Sequence, residues 1–257
     1  MYYLKNTKIL FRLIRKVLKL AGYDVFIRKD RYVYVPEIKA NLRYKLHDPR
    51  ENADFVNVAD EVVHAKTTTL YYDRLSTLFE ALRDLSRRYK QLNIAEIGVY
   101  NGGGSFFLAS VVKKLSLTGR IYSIDTFEGH SEKDLPNGKE GKHTTENFQN
   151  TSFDTVSRYL GRFNFVKVFK GRIQDVANQF SGLKFHFIHL DVDIYAPTIF
   201  ALKFFGERMV LGGIIVIDDY RAASCPGIEK AINEFLSTRT DFAKVGLLSE
   251  QCLLMKL

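Results

Sequence analysis

Apolar residues recur at helical spacing from Ile9 to Leu20, in the pairs Ile9 and Leu10, Leu13 and Ile14, Val17 and Leu18, while Lys and Arg fill the other face and Gly22 offers a stop. This predicts one basic amphipathic helix. Residues 33 to 65 show no sustained period and are expected to be irregular, whereas Leu70, Leu75, Leu78, Phe79, Leu82 and Leu85 predict a helix over 69–90. Beyond it the period alternates. Short apolar runs at Ile94 to Tyr100, Arg120 to Asp125, Phe163 to Phe169, Phe185 to Asp191 and Gly213 to Asp218 read as buried strands, with helical patterns between them. The last two runs, 243–247 and 252–257, are joined by a short polar turn and predict an antiparallel pair at one sheet edge. The expected architecture is α/β: a doubly wound, mostly parallel, Rossmann-like sheet of seven strands with an antiparallel C-terminal edge. Residues 1–67 form an extension to it and 68–257 the catalytic domain.

With 257 residues the chain suffices for one sizeable core. Its two cysteines, Cys225 and Cys252, show no framework spacing, which points to a reduced compartment, the cytoplasm. The net charge of +9 is unevenly spread: residues 1–32 carry nine Lys or Arg against Asp24 and Asp30, a net +7, and the rest only +2. A nearly neutral domain without a nucleic-acid module is not built to follow a phosphate backbone. Basic residues interrupt every apolar stretch near the start, so no membrane span is expected. Residues 5–20 have two candidate apolar partners, the inner face of an anionic membrane or protein, including a second subunit in a homodimer.

The segment Ala95-Glu96-Ile97-Gly98-Val99-Tyr100-Asn101-Gly102-Gly103-Gly104-Ser105 ends a strand and opens a helix. It is not a dinucleotide fingerprint, because Tyr100 stands where the second glycine should be and Glu96 would face a pyrophosphate. A cationic ligand suits that carboxylate. S-adenosylmethionine carries a sulfonium and an ammonium, and Asp125, ending the second strand about 20 residues past the glycines, is placed to accept ribose hydroxyls. The fourth strand ends Asp191-Val192-Asp193 and the fifth Asp218-Asp219. Helix capping accounts for one or two such aspartates, but four at one crevice require a cation, and oxygen donors suit a hard ion such as magnesium.

The run Leu190-Asp191-Val192-Asp193-Ile194-Tyr195, with Pro197-Thr198, Leu202, Gly212-Gly213, Asp218-Asp219-Tyr220, Pro226-Gly227 and Ala231, resembles the macrocin O-methyltransferase family over about Thr68 to Phe235. Catechol-type methyltransferases, which usually show Asp-Asn at 218–219, fit less well. The macrolide-sugar branch usually has Gly where this chain has Val192. The resemblance implies methylation of hydroxyls on sugars of antibiotics and polysaccharides, with a small-molecule or lipid-linked saccharide as acceptor. It implies that Asp191, Asp218 and Asp219 hold the metal, that Glu96, Gly98, Ser105 and Asp125 hold the cofactor, and that Asp193 meets the acceptor hydroxyl. Tyr100, Gly102, Thr126, Phe127, Gly171 and Asp191 are expected to complete the cofactor pocket.

The polar insertion from Glu128 to Glu146 is long enough to be a functional lid. Within it His143 is a second candidate base beside Asp193, and His130 reads as a solvated loop residue. His186 and His189 read as packed strand residues, and Cys225 as structural. The expected reaction is in-line transfer of the sulfonium methyl to a metal-chelated hydroxyl. A phenolic acceptor and a non-catalytic methyltransferase-like scaffold are the alternatives, the second disfavoured by the intact aspartate set.

The six basic residues between Lys5 and Lys19 would each contribute about 1 kcal/mol near an anionic surface. Full-length protein should therefore co-sediment with anionic liposomes at low salt and a 23–257 fragment should not. Equal sedimentation of the two would leave only protein packing or dimerisation for this helix.

Overall fold

The computed structural model describes residues 52–135 and 137–257, together with the backbone course of two strands, β1 (Tyr23–Ile27) and β2 (Tyr32–Pro36). The chain divides into two units, Met1–Asp48 and Pro49–Leu257. In the first, β1 and β2 pair antiparallel with Ile27 opposite Tyr32. The expected basic helix lies outside the described residues.

The second unit opens with a helix that periodicity did not disclose, α1 (Ala53–Ala65), capped by the Asn52 side chain on Asp54 and Phe55 N–H. The stretch 33–65 is therefore not irregular throughout. Only Phe55, Val58, Ala59 and Val62 of α1 are buried, too narrow an apolar stripe to stand out in the sequence. Phe55 meets Phe79 of α2 (Tyr72–Arg88) and Phe107 of α3 (Gly103–Lys114) edge-on, with ring centroids 5.7 and 6.2 Å apart.

Beyond α2 come β3 (Gln91–Ile97), α3, β4 (Thr118–Asp125), the lid, α4 (Phe153–Leu160) and β7 (Val166–Lys170). The lid carries a two-stranded hairpin, β5 (Lys139–Glu140) and β6 (His143–Thr144). A short helix α5 (Ile173–Val176) leads to β8 (Phe185–Leu190), α6 (Tyr195–Gly206), β9 (Met209–Ile217) and α7 (Pro226–Leu236), and β10 (Phe242–Gly246) with β11 (Cys252–Lys256) closes the chain. The sheet of seven strands has the order β10-β11-β9-β8-β3-β4-β7. β9, β8, β3, β4 and β7 are parallel, and β10 and β11 form the antiparallel pair at one edge.

Alternation along the strands builds two cores. Ile94, Phe187, Ile214 and Val216 face α1, α2 and α3; Ala95, Ile188, Ile215 and Ile217 face α6 and α7. The first strand was expected to reach Tyr100 but ends at Ile97, because the chain turns at Gly98. A Cβ at Gly98 would lie 1.8 Å from the Asp191 carbonyl oxygen, and its φ of +91° is open only to glycine at little cost. Among the described residues no helix is long and apolar enough to cross a membrane.

Phe55→Ala removes a ring that is 1% exposed, and should lower stability by about 3–5 kcal/mol in urea unfolding. A loss under about 1 kcal/mol would mean that α1 is not part of the cooperative core.

Candidate active site

From β3 the chain winds outward through β4 to β7, then returns to place β8 on the other side of β3. Strand order thus reverses between β3 and β8, where a crevice opens at the carboxyl ends of a doubly wound sheet. Hydrogen bonds carry the pairing one residue past each strand: Asp191 N–H to the Ile97 carbonyl at 2.9 Å, Asp218 N–H to the Leu190 carbonyl at 3.0 Å and Gly171 N–H to the Asp125 carbonyl at 2.8 Å. Gly98, Asp125, Gly171, Asp191 and Asp218 therefore stand in a row along one edge, as the sequence implied.

Asp125 organises the turn after β3. Its Oδ2 accepts from Val99 and Tyr100 N–H at 2.7 and 2.8 Å, and its Oδ1 accepts from Phe127 N–H at 2.7 Å. Tyr100 takes a left-handed φ of 49° and Gly102 opens α3 against Val156 and Tyr159, while Thr126 Oγ1 donates to the Gly129 carbonyl. The Phe127 ring is buried against Phe153 rather than open to the crevice.

Glu96 and Ser105 differ from expectation. Both are buried beneath the turn, where the Glu96 carboxylate accepts from Ser105 Oγ and lies 2.9 Å from His189 Nδ1. Glu96 cannot be left unpaired at 1% exposure, so its charge is spent on these partners and it supports the turn from below. Burial alone would discharge His189, but Asp218 and Glu96 raise its pKa to about 10, which makes it a buried cation. Its Nε2 stops 4.0 Å from Asp218 Oδ1, an ion pair rather than a hydrogen bond. His186 Nδ1 accepts from Asn93 N–H and is structural, as expected.

A second cation comes from α2. Arg74 donates from Nη1 to Asp218 Oδ2 at 2.8 Å and from Nη2 to Asp219 Oδ1 at 2.9 Å. Burial opposes its charge, yet Asp218, Asp219 and Asp191 raise its pKa further. Gln251 donates to Asp218 Oδ1 at 2.6 Å. Burial would favour a protonated Asp218, but His189, Arg74 and Gln251 hold its pKa below the ordinary carboxylate value. Asp191 and Asp193 lack such support: burial and the neighbouring carboxylates push both well above it. Asp193 and Asp219 sit in the left-handed region, φ 63° and 59°, an uncommon conformation that aspartate tolerates.

The lid hairpin is docked over these ends. Glu140 Oε1 accepts from Tyr195 N–H at 2.8 Å, at the start of α6, where Ile194 offers no side-chain cap. The same carboxylate reaches the start of α7, where a Cβ at Gly227 would lie 1.8 Å from it. Docking brings His143 Nε2 to 3.7 Å from Asp193 Oδ1 and 3.3 Å from Cys225 Sγ. His130 is not a solvated loop residue: its Nε2 lies 3.1 Å from His143 Nδ1, and burial and His143 lower its pKa to about 4.

The donor set fits a divalent ion. Donor atoms of Asp191, Asp218 and His189 lie within 4.8 Å of one another, as do those of Asp193, Asp219 and Cys225, and burial with mutual repulsion leaves Asp191 and Asp193 short of positive charge. Asp218 fits less directly, since Arg74 and Gln251 each occupy one oxygen, although a carboxylate oxygen keeps a second lone pair. The sulfonium of S-adenosylmethionine suits the same shortage. Arg74, Gln251 and Glu140 were not legible as site residues; the one signal was Arg74 itself, a cation in a first helical turn, against the helix dipole.

Comparison with known proteins agrees with this geometry. Residues 19–252 match the macrocin O-methyltransferase (TylF) family. A mycinamicin III 3''-O-methyltransferase of Micromonospora griseorubida is 24% identical over 207 residues, 74% of this chain and 76% of that protein. A tetracenomycin-rhamnoside 4'-O-methyltransferase of Streptomyces olivaceus is 26% identical over 142 residues, 52% of this chain and about half (54%) of the relative. Among solved structures, the O-methyltransferase NovP superposes with a TM-score of 0.64 at 17% identity, covering 74% of this chain and 81% of that one. An O-methyltransferase of Bacillus cereus in complex with SAH superposes with a TM-score of 0.53 at 16% identity over 84% and 93%. The chain therefore belongs to the macrocin O-methyltransferase family and is an S-adenosylmethionine-dependent O-methyltransferase.

Proposed function

We propose that this enzyme methylates a hydroxyl of a sugar or glycan-type acceptor, with a divalent metal, magnesium by its donor set, in the crevice. The observation that carries this reading is the placement of Asp193. Its carboxylate oxygen lies within 4.8 Å of that of Asp219, feels the charge of Asp191 and Asp218, and is 3.7 Å from lid residue His143, where an acceptor hydroxyl would be enclosed. The rhamnosyl group in the name of the tetracenomycin relative supports the substrate class.

Asp191 and Asp219, with Asp218 behind them on Arg74, would hold the ion, which when bound lowers the pKa of a chelated hydroxyl. The chain's own residues do the rest. Asp125 and the turn it organises position the cofactor at the β3 end, and Asp193 takes the hydroxyl proton as the methyl passes from sulfur to oxygen. His143, whose pKa is lowered by burial, is neutral at neutral pH and supports that step from the lid. The lid excludes the water that would compete for the crevice. The basic segment 5–20, outside the described residues, would bring the enzyme to an anionic membrane carrying lipid-linked saccharides.

Incubating the protein and labelled cofactor with nucleotide sugars, lipid-linked saccharides and phenols tests the acceptor class. Methyl transfer to a saccharide is expected; transfer to phenols alone would overturn that part of the reading. Asp125→Ala should weaken S-adenosylmethionine binding by about one to two orders of magnitude, the loss of a charge-assisted pair, and unchanged affinity by calorimetry would remove Asp125 from the cofactor site.

Chelators should abolish turnover and magnesium restore it, with Asp191→Asn and Asp219→Asn raising the magnesium requirement. Asp193→Asn should keep cofactor binding while lowering the rate by about 10²- to 10⁴-fold. If His143→Ala abolishes turnover while Asp193→Asn nearly preserves it, the base is the lid histidine; full activity in excess chelator would sink the metal mechanism.

A further inference from the structure

The docked lid assembles a donor set that methyl transfer does not require. His143 Nε2 stands 3.3 Å from Cys225 Sγ and 3.7 Å from Asp193 Oδ1, and Sγ and Oδ1 are 3.9 Å apart. A tetrahedral zinc ion with bonds of about 2.0–2.3 Å holds its ligand atoms about 3.3–3.8 Å from one another. Two of the three separations fall in that range, and the third, Sγ to Oδ1, lies just above it. They come from three places in the chain: the lid hairpin at β6, the turn after β8 and the residue before α7.

We propose that His143, Asp193 and Cys225 form a second metal site, selective for a thiophilic divalent ion such as zinc, which fastens the lid over the strand ends. A thiolate and an imidazole separate this site from the all-oxygen cluster of Asp191, Asp218 and Asp219, because soft donors favour zinc and carboxylates alone suit magnesium. Asp219 borders both sites, its donor oxygen lying within 4.8 Å of those of Asp193 and Cys225; the ligands proposed here are His143, Asp193 and Cys225.

The surroundings are those of a metal-bound histidine. His130 Nε2 lies 3.1 Å from His143 Nδ1 and can accept a hydrogen bond from its N–H, which leaves the His143 Nε2 lone pair facing Asp193 and Cys225. Burial lowers the pKa of both imidazoles, which favours the neutral, ligating form, whereas burial and the Asp219 and Asp193 carboxylates push the Cys225 thiol up, so its thiolate forms only with the ion bound. On binding, the Cys225 thiol loses its proton to solvent, the sulfur–metal bond forms, and no electron is transferred. Because Asp193 is one of the ligands, zinc would withhold it from an acceptor and close the enzyme in an inactive state. That last consequence rests on the proposed role of Asp193; the binding site does not.

Titration of metal-stripped, full-length protein with cobalt(II) tests the site without reference to activity. A thiolate-to-cobalt charge-transfer band in the near ultraviolet and intense tetrahedral d–d bands are expected, persisting in excess magnesium and displaced by one equivalent of zinc. Cys225→Ser should abolish the charge-transfer band and Cys252→Ser should retain it. His130→Ala, removing the outer support, should weaken zinc binding by about 10- to 100-fold. Absence of the band from the wild-type protein, or its survival in Cys225→Ser, would overturn the proposal. If Cys225→Ser fails to fold, as circular dichroism would report, loss or retention of the tetrahedral bands in His143→Gln decides between the same two outcomes.

Discussion

Like charges brought within a few ångströms of one another govern this molecule. At an effective dielectric constant of about 20, two carboxylates 4 Å apart repel by about 4 kcal/mol, and the carboxyl ends of β3, β8 and β9 gather Glu96, Asp191, Asp193, Asp218 and Asp219. The fold meets that repulsion with two cations from different elements, one buried and one half-buried. His189 rises from β8 between Glu96 and Asp218, and Arg74 descends from α2 onto Asp218 and Asp219. Both serve Asp218 first, while burial and mutual repulsion raise the pKa of Asp191 and Asp193 at the crevice. The cluster is therefore not uniform: Asp218 is held as a carboxylate by the protein's own cations, and its neighbours are not.

This division explains why α2 belongs to the catalytic unit although it precedes the first strand of the sheet. Its apolar face, Leu75, Leu78, Leu82 and Leu85, packs on the core and fixes the position of Arg74 in its first turn. α1 packs behind it through Phe55. The helices before β3 hold a charge in place as well as cover the sheet.

Much of this was legible in the sequence, and the limits have physical causes. Buried parallel strands are continuous apolar runs, so β3, β4, β8 and β9 stood out, and an acidic residue at a strand end announces itself by contrast. The glycine turn was legible as a close approach, but its partner, the Asp191 backbone across the sheet, was not. Glu96 was legible as a charge near the cofactor; that it points into the protein depends on His189, 93 residues away. Arg74, Gln251 and Glu140 escaped because pairings between distant segments leave no local period. α1 escaped because four buried residues in 13 make too faint a stripe.

Glu140 gives the lid an unusual tether. Its carboxylate lies at the amino ends of both α6 and α7, where unpaired N–H groups and the partial positive charge of each helix converge, and Ile194 supplies no cap of its own. Withdrawing that carboxylate would expose two helix starts to water at the same moment, so departure of the hairpin would be a concerted event rather than the drift of a loose loop.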